Sequence, residues 1–385
     1  MTRSRLLAAV GLFITVFQPR NAMGQMQGNS WRAIADKLVA QMALTNGERV
    51  FLLAMPGLAD SLIEPLRARI RQVGGVDLGA ISVKGEAPPG WGTPWTSKAQ
   101  GLSGVALEAH MKSADVGLML PGAAPTDPAY AAMQNVLKSG SGRTVHFHWA
   151  GAYGMDGVLL PMTPEKSRAY EQILLKTSYG ALTTAQRAVE TAMRSATVRV
   201  TTPAGTDLSF SIGDRPVTKQ DGDASKARAE HAKNLIDREV ELPAGAIRVA
   251  PIEESVNGTI AFPASDWGGE RVEGLVMTIE RGRVTKVVAA RGRAGVEKEM
   301  LQGGDAAHAF REFALGLNPL LAIPETGERW IPYYGYGAGV VRLSLGDNTE
   351  LGGRVAGGYV RWNFFTDATV RIGDSVWVRA GRLER

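Results

Sequence analysis

A chain of 385 residues is too long for one ordinary core and suits two domains. With 44% hydrophobic and 21% charged residues and 46 glycines, it is neither disordered nor fibrous, and 43 basic against 38 acidic residues, interleaved without a basic run, give no support to a nucleic-acid partner. Cysteine is absent, which excludes disulfides, thiolate ligands and a cysteine nucleophile, so any catalysis must use oxygen or nitrogen groups.

Arg3 and Arg5 precede an uncharged apolar run, Leu6 to Phe17, and then the small residues Ala22 and Gly24. This is the pattern of a secretory signal over 1–24, because the run is shorter than the roughly 20 residues of a spanning helix. It predicts a periplasmic or secreted product, free of the membrane after cleavage. Asn29 is a candidate cap for a helix over 30–42, with Trp31, Ile34, Leu38, Val39 and Met42 at helical spacing. The continuous apolar run 49–55 then reads as a buried strand. A helix over 58–73, strands over 76–83 and 116–120, a helix opening at Asp127-Pro128 and a strand over 144–149 follow, and helices over 163–176 and 183–195 complete the segment. Strands alternating with helices imply a parallel sheet covered on both faces, so 28–195 is read as an α/β domain. No Gly-x-Gly-x-x-Gly follows the first strand, where Met55-Pro56-Gly57-Leu58-Ala59-Asp60 stands instead, and no Gly-x-Ser-x-Gly elbow occurs.

Beyond Ser195 the texture changes to short β-rich runs at 197–201, 208–212, 259–262, 274–280, 283–289, 340–345 and 375–379. The segment 196–385 is therefore read as a mainly antiparallel domain, interrupted by a helix over 306–315. The polar stretch 213–233 is expected as a loop or helix lying over the site.

Several segments then fall in a recognisable order. They are Val200-Thr201-Thr202-Pro203-Ala204-Gly205-Thr206-Asp207-Leu208, Leu242-Pro243-Ala244-Gly245, the run from Ala250-Pro251-Ile252-Glu253-Glu254 to Thr259, Glu280 to Val284, Glu312 to Pro319, Gly346-Asp347-Asn348 and Gly352-Gly353. Together they resemble the C-terminal domain of the aminopeptidase T family of two-metal peptidases, and looser agreement at 35–39 and 47–50 extends the likeness across the mature chain. The resemblance implies an α/β N-terminal domain, a β-rich α+β C-terminal domain, a cleft between them, a homodimer, and a small-molecule or peptide substrate. It also implies two divalent ions, held by a glutamate after the Pro-x-Gly turn, a glutamate before Gly-x-Asn-Pro, a strand histidine and a terminal His-x-His-x-Asp. Here those positions read Ala246, Glu312, Arg342, and Tyr359, Arg361 and Asn363. The chain's histidines stand at 110, 146, 148, 231 and 308, so the C-terminal imidazole ligands are missing. No cofactor is predicted; a divalent metal would have to be assembled from Glu253, Glu254 and Glu312, with His308 or a histidine of the first domain. Ring-opening dioxygenases of dihydroxypyridines, which use one non-haem iron, resemble the chain at Asn348-Thr349-Glu350-Leu351-Gly352-Gly353. Their iron ligands fall on Glu312, Arg361 and Asn363.

Guanidiniums in a pocket that once held cations favour an anionic guest. Arg342 and Arg361, helped by Asn363 and Tyr359 and flanked by Glu253 and Glu254, are the candidate binders of an anionic small molecule or peptide carboxylate. Glu312 pairs one arginine or acts as a base. The opposing expectation is that the arginines pair with Glu312, Glu253 or Glu254 and fill a vacated cavity. His146 and His148 alternate along a strand and face one side, suiting either chelation or a polar cleft edge. Trp330, Tyr333, Tyr334 and Tyr336 line a pocket or dimer contact, or fill the β core. Three functions follow: an exported hydrolase with a rebuilt or metal-free site, a non-catalytic binder of an anion, and an enzyme related to the ring-cleaving branch.

Overall fold

The computed structural model describes residues 30–384; the expected leader and the Asn29 cap lie outside the described residues. Four strands, β1 (Arg49–Ala54), β2 (Val76–Ser82), β3 (Val116–Met119) and β4 (Arg143–His146), form a parallel sheet. Val50, Phe51, Leu52 and Leu53 are all fully buried. Successive strand residues point to opposite faces, so burial of all four requires a layer on each side. Helices such as Trp31–Met42, Asp60–Gln72 and Pro128–Lys138 supply those layers, each burying an apolar stripe.

The helix Tyr179–Ser195 closes this segment. The chain beyond it nevertheless returns one strand to the parallel sheet. β5 (Glu239–Glu241) pairs with β4, matching Thr144 with Glu239 and His146 with Glu241. Four residues, Leu242-Pro243-Ala244-Gly245, then carry the chain into β6 (Ala246–Val249) of a second, antiparallel sheet. That sheet runs in the order Val217–Lys219, β6, β7 (Phe310–Gly316), β8 (Val341–Gly346) and β9 (Val360–Phe365). A third, eight-stranded sheet carries Val198–Thr201, Asp207–Phe210, Asn257–Ala261 and the two strands of the hairpin 276–288, among others.

Two expectations are corrected. The helix placed over 306–315 is instead the tail of a helix, Arg293–Ala307, followed by β7. Helix formers such as Glu312, Ala314 and Leu315 suggested helical periodicity, but every residue of β7 is buried between two neighbouring strands, and pairing in the sheet centre overrides local preference. The polar stretch 213–233 forms the strand Val217–Lys219 and the short helix Lys226–Glu230. This helix lines a surface depression with Glu48, Asp115, Arg143 and Arg238, at the amino-terminal ends of the parallel strands. It therefore lies at the opposite end of β4 from His146.

The crossing between the sheets is fixed by Asn318, whose Nδ2 donates to the Ala244 carbonyl at 2.8 Å and to Thr177 Oγ1 at 3.0 Å. A Cβ on Gly245 would come within 2.5 Å of the Tyr336 carbonyl oxygen, so only glycine permits this approach. Asn318→Ala leaves buried acceptors unpaired and is expected to cost about 1–3 kcal/mol. Urea denaturation at pH 7 checks this, a cost below about 0.5 kcal/mol showing that the crossing does not depend on Asn318.

Candidate active-site cleft

Pairing registers decide which side chains meet. β6, β7 and β8 match Arg248 with Ala314, Glu312 with Ser344 and Ala314 with Arg342, and β9 opposes Trp362 to Ser344 and Phe364 to Arg342. One face of the antiparallel sheet thus carries Ala246, Arg248, Glu312, Arg342, Ser344, Trp362 and Phe364. Arg361 and Asn363 pair with Leu345 and Leu343 and lie on the other face. Ligands of one ion must converge, and Arg361 and Asn363 do not share a face with Glu312 and Arg342, whose neighbours on β9 are Trp362 and Phe364. A one-residue slip in a strand reverses every side chain, so the face a residue takes is set by register and not by residue type.

Glu312 has no solvent exposure. Its Oε2 accepts from Arg248 Nε at 3.0 Å and Nη2 at 2.9 Å, and its Oε1 accepts from Arg342 Nε at 2.9 Å and Ser344 Oγ at 3.1 Å. Burial alone would raise its pKa, but the charges of Arg248, Arg342 and Arg311 hold the carboxyl far below the usual range. With both oxygens engaged and its proton affinity suppressed, Glu312 anchors guanidiniums, the first of the two roles expected from sequence, and does not act as a base. Arg342 also donates to the Tyr334 carbonyl at 3.1 Å and lies over the Trp362 ring, 4.7 Å from its centroid. Arg311 bonds Glu350, which lies 3.4 Å from Arg248 Nη2. Three guanidiniums therefore meet two carboxylates, and Arg342 Nη2 and Arg311 Nε are buried without a hydrogen-bond partner among the described residues. Two arginines, an alanine and two aromatic rings offer no ligand set for the implied pair of ions, so the residues on this face do not fit them.

The other sequence candidates serve different contacts. Arg361 donates through Nη1 to Glu299 Oε1 at 2.8 Å, stacks 3.5 Å from the centroid of Trp267, and donates through Nε to Asn363 at 3.3 Å. Tyr359 donates to the same Glu299 at 2.8 Å. These side chains tie the helix Arg293–Ala307 to the sheet. Glu253 pairs with Arg215 and accepts from the Arg354 N–H at 2.8 Å, while Glu254 pairs with Arg354. Neither contacts Arg342 or Glu312, and the single anion pocket expected around Arg342 and Arg361 is two separate ion-pair systems. Of the aromatic cluster, Trp330, Tyr333 and Tyr336 are buried, while Tyr334 is half-buried.

Across the cleft, at the carboxyl-terminal ends of β4 and β5, stand His146, His148 and Glu241. His146 Nδ1 lies 3.7 Å from Glu241 Oε1 and 3.3 Å from Tyr130 Oη, and its Nε2 is 3.0 Å from Thr144 Oγ1. The Tyr333 hydroxyl donates to Glu241 Oε2 at 3.1 Å. Burial pulls the His148 pKa down to about 4, helped by the charge of His146; the His146 pKa is raised, Glu241 and Glu239 outweighing burial. Burial opposes ionisation of Glu241, but His146, His148 and the Tyr333 hydroxyl lower it to about 2. His148, Glu241, Glu350 and Tyr334 are partly exposed, marking the open edge of the cleft. The histidine and arginine groups meet at adjacent residues, since the Tyr333 hydroxyl reaches Glu241 and the Tyr334 carbonyl accepts from Arg342. Sequence reasoning singled out the histidines but missed Glu241, whose approach depends on a strand pairing across 95 positions; Arg248 was within reach, standing two residues after Ala246 on the same strand face.

The architecture is shared with solved structures. A 2,5-dihydroxypyridine dioxygenase from Pseudomonas putida KT2440 is 17% identical with a TM-score of 0.60, covering 92% of this chain and 96% of its own. Wild-type AmpT from Thermus thermophilus is also 17% identical, with a TM-score of 0.59, covering 92% of this chain and 99% of its own. The chain thus has the aminopeptidase T-like fold, an α/β domain joined to a β-rich one. Residues 180–326 match the thermophilic metalloprotease (M29) family, so the resemblance to that family holds in the segment that builds β5, β6 and β7. No curated protein matches the chain.

Glu312→Gln removes the charge between Arg248 and Arg342 and is expected to cost about 3–5 kcal/mol at pH 7 by urea denaturation. Because the folded-state pKa of Glu312 lies below its unfolded value, its contribution is complete above the ordinary carboxylate range and declines as pH falls toward the folded value. The gap between wild type and variant therefore narrows at pH 3, and a gap that widens there contradicts the assignment.

Proposed function

We propose that the protein is an exported aminopeptidase-like hydrolase acting on a small peptide or amide that bears a carboxylate. The observation that carries this reading is the charge imbalance at the cleft. Arg248, Arg311 and Arg342 face only Glu312 and Glu350, and two guanidinium N–H donors lack partners among the described residues. A buried unpaired donor costs about 1–3 kcal/mol, which an incoming carboxylate would recover. The match of residues 180–326 to a metalloprotease family supports amide hydrolysis as the reaction class. His146, His148 and Glu241 are the groups placed to activate water, and Tyr333 orients Glu241. The homodimer and the periplasmic or secreted location belong to the same reading, which the resemblance and the leader pattern motivate.

The test is a panel of dipeptides and N-acyl amino acids offered to the mature protein, each as the free acid and as the C-terminal amide. Amine release from the acids, with kcat/KM at least about tenfold below that for the amides, would remove the carboxylate preference. Absence of release from every compound would remove the hydrolase. If free acids protect the protein against thermal unfolding without being cleaved, binding of an anion without turnover is the function.

A further inference from the structure

We propose that His146, His148 and Glu241 form a binding site for one divalent transition-metal ion at the carboxyl-terminal edge of the parallel sheet, across the cleft from the arginine-filled face. One donor atom from each residue lies within 4.8 Å of the other two. Donors of a tetrahedral zinc ion with bonds of about 2.0–2.2 Å stand about 3.3–3.6 Å apart. The 3.7 Å between His146 Nδ1 and Glu241 Oε1 is already close to that spacing, and the other two members of the group, the His148 ring and the Glu241 carboxylate, are partly exposed while His146 is buried.

Three features distinguish this group from a chance cluster. The surrounding contacts are those that orient ligands, since Thr144 Oγ1 engages the far nitrogen of His146 and the Tyr333 hydroxyl engages the far oxygen of Glu241. His148 has ring contacts with Tyr130 and His146 but forms no hydrogen bond among the described residues, which leaves its nitrogens free to ligate. The donors come from adjacent parallel strands where they leave the sheet, the usual position of ligands in open α/β sheets. Two imidazoles and a carboxylate suit zinc, and the same set suits ferrous iron; three protein donors leave positions open to water or substrate. As the means of activating water, the ion rests on the hydrolase reading above, whereas its binding is measured without turnover.

Untagged mature protein, stripped with a chelator and desalted, is titrated calorimetrically with Zn²⁺ alone and, anaerobically, with Fe²⁺ alone. One ion per chain is expected, with His148→Ala and Glu241→Gln each weakening affinity more than about tenfold and Thr144→Val weakening it about tenfold. Circular dichroism establishes that each variant is folded. Should His148→Ala or Glu241→Gln not fold, Co²⁺ titration of the wild type reads the ligands directly, through paramagnetic shifts of two imidazole rings in its proton spectrum. The tighter of the two ions names the metal. Failure of the wild type to bind either ion, unchanged affinity in both ligand variants, or Co²⁺ shifts that spare His146 and His148 would overturn the site. A bound ion with no hydrolysis leaves this site standing and removes the hydrolase, whereas hydrolysis by ion-free protein does the reverse.

Discussion

Glu312 holds a negative charge where no solvent reaches it, and an ion in that position costs several kcal/mol unless other charges and hydrogen bonds surround it. Arg248 from β6 and Arg342 from β8 flank it in the central strand, so three adjacent strands are locked in register by one carboxylate. If Arg248 turned away, Oε2 would lose both of its donors, and if Arg342 turned away, Oε1 would keep only Ser344. The ion pairs also extend outward, through Arg248 and Arg311 to Glu350, into the loop that follows β8. This face concentrates cationic charge on its own side chains. Glu312 serves here as the counter-ion of Arg248 and Arg342.

Both walls of the cleft depend on the short crossing from β5 to β6. Glu241 ends one strand of the parallel sheet and Ala246 begins a strand of the antiparallel sheet, with four residues between them. Gly245 allows the Tyr336 backbone to approach, Asn318 holds the Ala244 carbonyl, and the Leu317 N–H donates to Gly245 at 2.8 Å. The Pro-x-Gly and Gly-x-Asn-Pro segments are therefore parts of one joint. Tyr333 spans it as well, donating to both Glu241 and the Leu242 carbonyl. Displacing any of these shifts the histidine wall relative to the arginine wall.

Much of the scaffold was legible in the sequence, because β1 is a continuous apolar run and the early helices carry apolar stripes, both local signals. β7 was not, since a central strand buried on both faces has no alternation and its Glu312, Ala314 and Leu315 favour helix. The site was legible only in part. That Ala246 and Arg342 hold no metal follows directly from residue type, but assigning Arg361 and Asn363 to the same pocket required a register that only pairing with β8 establishes. Glu241 was beyond reach for a different reason: its relation to His146 is a parallel pairing between distant segments, and no local pattern announces such a contact.

The two walls carry opposite chemistry. On one side the guanidiniums of Arg248, Arg311 and Arg342 exceed their carboxylate partners; on the other, Glu239 and Glu241 draw positive charge toward His146. A guest carrying a carboxylate would be oriented by this field before any close contact forms, its anionic end toward the arginines and its remaining polar groups toward the imidazoles. Orientation of that kind is the part of catalysis a rigid cleft supplies without reorganising. The arginine wall and the histidine wall thus differ in kind, one holding an excess of fixed positive charge and the other imidazole and carboxylate donors.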